Sequence, residues 1–166
     1  GGTGKTHLGW QIATSWCKKQ GIDIVFCDVM SIHSHPELIG ALFSALEVTD
    51  VQALSNAALV AELRSRERML LYLDNLEQLP PISIHFLNQL VTETPHVQLL
   101  LTSRKRLHIS GESPFLLGTM TVVEALQLFI QQGESRIPNW TLSAKQFRMV
   151  CTIINDLDRL PLAIKL

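Results

Sequence analysis

The sequence predicts an α/β fold built on a parallel sheet and followed by a helical segment. Three observations lead there. Helix-period patterns and strand-length apolar runs alternate from Lys5 to Leu117. One of those runs, Arg68 to Asp74, is apolar almost without interruption, the pattern of a strand buried on both faces, and Val97 to Thr102 is a second apolar strand. Beyond Gly118 only helical patterns remain, so a boundary is expected between residues 1–118 and 119–166.

Taken in order, Lys5 to Gln20 reads as a helix with Leu8, Ile12 and Trp16 on one face. Gly21 stops it, and the β-rich run from Ile22 to Val29 reads as a strand. Pro36 suits the first turn of a helix through Leu46. Thr49 and Gln52 stand at capping-box spacing ahead of a helix to Arg66. The Arg68 strand ends in Asp74; Pro80-Pro81 then opens a helix to Glu93, and the Val97 strand ends at Ser103-Arg104. Phe115 to Leu117 is expected as a short fourth strand. Thr121 with Glu124, and Ser143 with Gln146, form capping boxes for two further helices.

At 166 residues there is room for one sizeable core. Apolar residues make up 46% and charged residues 17%, which excludes a disordered chain. A net charge of −1 gives no bulk attraction to nucleic acid or anionic lipid. Cys17, Cys27 and Cys151 form no metal or redox pair and are expected as reduced, mostly buried thiols. No apolar run approaches the roughly 18 residues of a membrane helix, and no signal peptide is visible. A soluble, cytoplasmic protein is the default. His33 and His35 lack further ligands at matching spacing, and Trp10, Trp16 and Trp140 are expected to pack.

The strongest chemical signal is Gly1-Gly2-Thr3-Gly4-Lys5-Thr6, the second half of a phosphate-binding P-loop. Glycines let backbone N–H groups curl around phosphate oxygens, and the helix that follows adds the positive end of its dipole. Lys5 would reach the β- and γ-phosphates, and the Thr6 hydroxyl would ligate Mg²⁺. His7 comes next and would lie near the phosphates or the sugar. A buried strand ending in Asp74 is on its own an ordinary helix cap. With a P-loop upstream it matches Walker B, an aspartate placed to hold Mg²⁺ or its water shell. The next residue is Asn75, which cannot accept a proton from an attacking water, so slow hydrolysis is expected. Glu77 could do so only if its loop turned inward; otherwise it is an exposed carboxylate in a first helical turn. Arg104 emerges at the sheet edge where ligands sit in open α/β folds and is placed to sense a γ-phosphate; Lys105 and Arg106 are expected on the surface.

These residues, in order, resemble the NB-ARC or STAND class of signal-transduction NTPases. The set is Gly1 to Thr6, then Leu71-Tyr72-Leu73-Asp74-Asn75-Leu76-Glu77, then Leu101-Thr102-Ser103-Arg104, then Leu160-Pro161-Leu162-Ala163. The likeness spans essentially the whole chain and is greatest to the versions in large bacterial transcriptional regulators. It implies ATP and ADP as ligands with Mg²⁺, and a nucleotide-dependent switch: closed with ADP, opened by ATP and then self-associating. It also implies a Pro161 lying against the base or ribose, and winged-helix and sensor domains after Leu166. Two positions depart from the family. Arg159 stands where a glycine is usual, and His7 stands where a second hydroxyl is usual.

Both ends of the chain look cut, since it opens inside a motif and closes inside a helical pattern. The strand feeding the P-loop is expected near the sheet centre, beside the Val97 strand, and its loss would leave the isolated chain prone to unfold or aggregate. Two other functions compete with the switch: a turnover ATPase of the AAA+ kind, and a scaffold that has lost nucleotide chemistry. Asn75 and the Leu-Pro-Leu-Ala segment favour the switch, and the intact Lys5, Thr6, Asp74 and Arg104 count against the scaffold.

Overall fold

A computed structural model describes residues 2–49, 54–137 and 140–166. They form two compact units, one of residues 6–114 and one of residues 2–5 with 115–166.

The first unit is α/β. Three parallel strands, β1 (Asp23–Asp28), β2 (Met69–Asp74) and β3 (Val97–Leu101), lie in the order β1-β2-β3. Every residue of central β2 is buried, which is why that strand reads as an unbroken apolar run. Alternation along β2 sends Met69, Leu71 and Leu73 to one face and Leu70 and Tyr72 to the other. The first face packs with Leu38 and Leu42 of α2 (His35–Ala45), Leu59 and Leu63 of α3 (Asn56–Ser65), and Phe86, Leu87 and Leu90 of α4 (Pro81–Glu93). The second packs with Ala13 and Cys17 of α1 (Lys5–Gln20).

Helix α1 corrects the expected face. Its buried stripe is Gly9, Ala13 and Cys17, while Ile12 is exposed. Small residues let the helix lie close on β2: a Cβ on Gly9 would come 2.8 Å from Tyr72 Cζ. Helix α2 has the Ser34–Glu37 capping box and Pro36 in its first turn. Helix α3 starts later than Thr49 suggests, with Ser55 as its cap accepting from Ala58 N at 3.2 Å. Gln52 of the expected box lies outside the described residues. Asp74 is followed by a 3₁₀ turn over Leu76–Gln78.

In the second unit, α5 (Val122–Arg136) and α6 (Ala144–Asp156) open on the two expected capping boxes, and α7 (Pro161–Lys165) begins at its proline. Its core is Ala125, Val150, Ile154 and Ile164. The fourth strand expected at Phe115 to Leu117 does not form. Phe115 and Leu116 are 80% and 95% exposed, and three apolar residues with no strand beside them have nothing to pair with. Among the described residues, no helix is long and apolar enough to cross a membrane.

Candidate functional site

Parallel pairing brings the C-terminal ends of the strands level. Asp28 stands opposite Asp74, and Leu73 opposite Leu101. The chain then stitches those ends together: Val29 N donates to Asp74 O at 3.0 Å, Thr102 N to Leu73 O at 3.0 Å, and Leu76 N to Thr102 O at 3.0 Å. The chemical groups gather on this edge.

Asp74 is 1% exposed and is met by four donors. Its Oδ2 accepts from Thr6 Oγ1 at 2.6 Å and from Asn75 Nδ2 at 2.9 Å. Its Oδ1 accepts from the Thr102 hydroxyl, and Tyr72 Oη lies 3.1 Å from the same oxygen. A buried carboxylate needs such partners, because an unsatisfied one costs several kcal/mol, on the order of 2–5. Asn75 sits in the left-handed region at φ 66° and ψ 51°, which turns its amide back over the strand ends. Nδ2 of that amide also donates to Asp28 Oδ1 at 3.1 Å, so the side chain joins two carboxylates. Burial first, and the Asp74 charge next, hold the Tyr72 phenol well above its ordinary pKa.

Of the residues expected from sequence, Thr6, Asp74 and Asn75 come together here. Glu77 and Arg104 form a separate pair, with Arg104 Nε 3.6 Å from Glu77 Oε1 and the arginine side chain 68% exposed. Lys105, Arg106 and His7 are exposed. In the other unit, Gly2 and Gly4 have φ of +83° and +89°, values that favour glycine, so the loop requires both. A Cβ on Gly4 would lie 4.0 Å from Pro161 Cγ, and Leu162 N donates to Gly2 O at 3.2 Å. The Leu-Pro-Leu-Ala segment therefore lies against the glycine loop. Thr3 and Lys5 are half-buried, Lys5 opening α1.

Asp28, Tyr72 and Thr102 also belong to the cluster; Tyr72 and Thr102 stand inside the quoted motifs without a role assigned to them, and Asp28 lies outside every motif. The one signal for Asp28 is that strands β1 and β2 both end in aspartate; Tyr72 and Thr102 carry none that patterning detects. His35 is engaged by Ser83 at 3.2 Å and Asn56 at 2.8 Å, which makes it a tie between helices. Among the described residues no three His, Cys, Asp or Glu converge as a metal cage. A hydroxyl beside a carboxylate suits Mg²⁺ instead, a hard cation that takes one or two protein oxygens and completes its shell with phosphates and water.

A parallel sheet between helices, with a glycine loop entering a helix and an aspartate ending the central strand, defines a P-loop NTPase fold. The chain is similar in three dimensions to Cdc6p from Pyrobaculum aerophilum, with a TM-score of 0.77 and 19% identity over 98% of this chain and 50% of that one. In sequence it is 28% identical over 166 residues to proteins provisionally named HTH-type transcriptional regulators, from Mycobacterium bovis and Mycobacterium tuberculosis. It spans 99% of this chain but 19% of the length of those relatives. No family model matches the chain.

Proposed function

We propose that this chain is the nucleotide-binding module of a transcription-regulating protein: an NB-ARC-like switch that binds ATP or ADP with Mg²⁺ and hydrolyses ATP slowly. The observation that carries the reading is the 2.6 Å hydrogen bond from Thr6 Oγ1 to Asp74 Oδ2. Donating its proton to the carboxylate leaves the Thr6 oxygen's lone pairs for a cation. Gly2, Thr3, Gly4 and Lys5 take the phosphates, with the N-terminus of α1 behind them. Thr6 and Asp74 hold Mg²⁺, whose charge offsets that of the β- and γ-phosphates. His7 lies near the phosphates or sugar, Arg104 senses the γ-phosphate, and Pro161 meets the base or ribose. The α/β domain spans residues 1–118 and an ARC-like helical subdomain begins at 119.

Slow hydrolysis follows from the side chains available to a nucleophilic water. Asn75 has no basic atom to offer it, and its amide is committed to two carboxylates. Glu77 lies beside Arg104, and the two separate when a γ-phosphate draws the guanidinium away. The similarity to much longer HTH-type regulators supports further domains elsewhere in the same protein; winged-helix and sensor domains, and self-association in the ATP state, are what the family resemblance implies.

The test is nucleotide content and turnover of the full-length protein beside Lys5→Ala. Tightly held ADP is expected, with turnover well below about 1 s⁻¹, the low end for ordinary enzymes. Lys5→Ala is expected to lose both. Rapid wild-type turnover would place the chain with motor-like ATPases and make Glu77 the next residue to replace. No bound nucleotide in the wild type would leave a scaffold.

A further inference from the structure

Tyr72 is a polar group that the proposed chemistry has not used, and it is fully buried at 0% exposure. It precedes Asp74 by two residues and so shares its face of β2. Its hydroxyl lies 3.1 Å from Asp74 Oδ1 and also 3.1 Å from the main-chain oxygen of Thr6. A phenol has one proton, which it can give to only one of these acceptors at a time. One acceptor is the carboxylate proposed to hold Mg²⁺, and the other is the main-chain oxygen of Thr6, whose hydroxyl is the second proposed ligand.

The surroundings are built for that hydroxyl. Gly9 faces it from α1, where a Cβ would stand 2.8 Å from Tyr72 Cζ. Across the β1–β2 ladder Phe26 is the register partner of Tyr72 and packs edge-on at 5.1 Å between ring centroids. Trp10 packs on Phe26 in turn at 5.5 Å. The ring thus has aromatic support on one side and a glycine on the other, which fixes where its oxygen points. A leucine would fill this core as well and would need no glycine opposite. The oxygen is what the arrangement accommodates.

We infer that Tyr72 is a positioning residue for the Mg²⁺ site, tying the first turn of α1 at Thr6 to the Walker B carboxylate of Asp74. With Asp74 Oδ1 occupied by Tyr72 and Thr102, Oδ2 is the oxygen left to face the Thr6 hydroxyl. The carboxylate is therefore held in the orientation that orients Thr6 before any metal arrives. If the Tyr72 hydroxyl turned its hydrogen bond from Asp74 Oδ1 to the Thr6 carbonyl, the proton staying on the phenol oxygen, Oδ1 would keep the Thr102 bond and gain a free lone pair. This inference rests on Thr6 and Asp74 being the Mg²⁺ site.

The test is Tyr72→Phe in the full-length protein, which keeps the ring and removes the oxygen. ATP binding is measured in EDTA and across a MgCl₂ titration. The expected result is Mg²⁺-free affinity unchanged and a half-maximal Mg²⁺ concentration raised roughly fivefold to tenfold, the size of one lost hydrogen bond. Gly9→Ala crowds the same hydroxyl from α1 and is expected to shift the Mg²⁺ requirement the same way, giving a second reading if Tyr72→Phe folds poorly. A merely structural role would lower the melting temperature and leave the Mg²⁺ profile on that of the wild type, and that result overturns the role of Tyr72 alone. Wild-type ATP binding that ignores Mg²⁺ altogether overturns the metal assignment to Thr6 and Asp74 together with this one.

Discussion

The two units of this chain are held together in different ways. In residues 6–114 the core is continuous from α2 to α4, and central β2 is buried along its whole length. Polar groups inside it are engaged, Asp74 by four donors. Among the described residues of the helical unit the buried core is Ala125, Val150, Ile154 and Ile164, with half-buried residues such as Leu126, Phe129 and Leu157 packed against it. Phe147, Met149 and Ile153 of α6 remain exposed in the same unit. The first unit is thus built to hold chemical groups at fixed distances, whereas the second depends on helix caps and a small core. A region with few buried apolar contacts opens at lower free energy, so the helical unit is expected to open locally before the α/β unit does.

The largest expected effects bear directly on that difference. Leu71→Ala removes a fully buried side chain from the middle of the sheet and is expected to cost roughly 3 to 5 kcal/mol. Ile154→Ala in the helical unit is expected to cost less, about 2 kcal/mol, because a small core can close over the gap. Hydrogen exchange in the full-length protein separates the two. Leu71→Ala should speed exchange across residues 6–114, Ile154→Ala only in α5 to α7, and in the wild type β2 should exchange last. Equal protection of β2 and α6 in the wild type would remove the contrast.

Cysteine reactivity sharpens the contrast at single sites. Burial first, and Asp28 next, push the Cys27 thiol up to about 11, and burial raises Cys17 as well. A raised thiol pKa means less thiolate at a given pH, so at pH 8 Cys27 is about one part in a thousand ionised. Cys151, half-buried in the helical unit, is expected to alkylate more than tenfold faster with iodoacetamide, followed by mass spectrometry. Protection of Cys27 should end as pH rises through its folded value near 11, where the native state begins to ionise it. Equal rates for the three thiols at pH 8 would mean that the α/β core opens as readily as the helices.

Much of this was legible in the sequence, for identifiable reasons. Strand β2 announces itself because burial on both faces removes polar residues; β3, where only Val97 is buried and Gln98 is exposed, shows as a mostly apolar run, and α5 and α6 show because their capping boxes are local. That Thr6, Asp74 and Asn75 would lie together was legible because the P-loop and Walker B patterns place a hydroxyl and an aspartate at recognisable spacings, and Asn75 follows that aspartate directly. Tyr72 and Thr102 were not, since what makes them matter is proximity across 66 and 28 positions of sequence. The face of α1 was misread for a related reason. Patterning weighs large apolar residues, but the helix lies so close to β2 that only Gly9, Ala13 and Cys17 fit beneath it. At Phe115 to Leu117 composition suggested a strand, and composition cannot see whether a neighbouring strand exists.

The smallest expected effect concerns Arg159, inside the helical unit. Helix α6 ends in a turn where Arg159 N donates to Ile154 O at 3.0 Å, the wide closing bond of a Schellman-type end. Asp158 and Arg159 both take positive φ, 51° and 55°. A residue with a Cβ is disfavoured there by about 1 kcal/mol, and glycine is not. The position where the resembling family usually has glycine is thus one whose backbone suits glycine, and this chain keeps the turn with an arginine under strain. The Arg159 carbonyl accepts from Met120 N at 3.3 Å, so the turn also anchors the chain entering α5. Arg159→Gly is expected to stabilise the helical unit by roughly 1 kcal/mol, less the entropy that glycine adds to the unfolded chain, and to slow hydrogen exchange in α6 and α7. Loss of stability instead would mean that contacts of the half-buried arginine side chain outweigh the relief of strain, and the helical unit would then owe more to side-chain packing at this turn than to its caps.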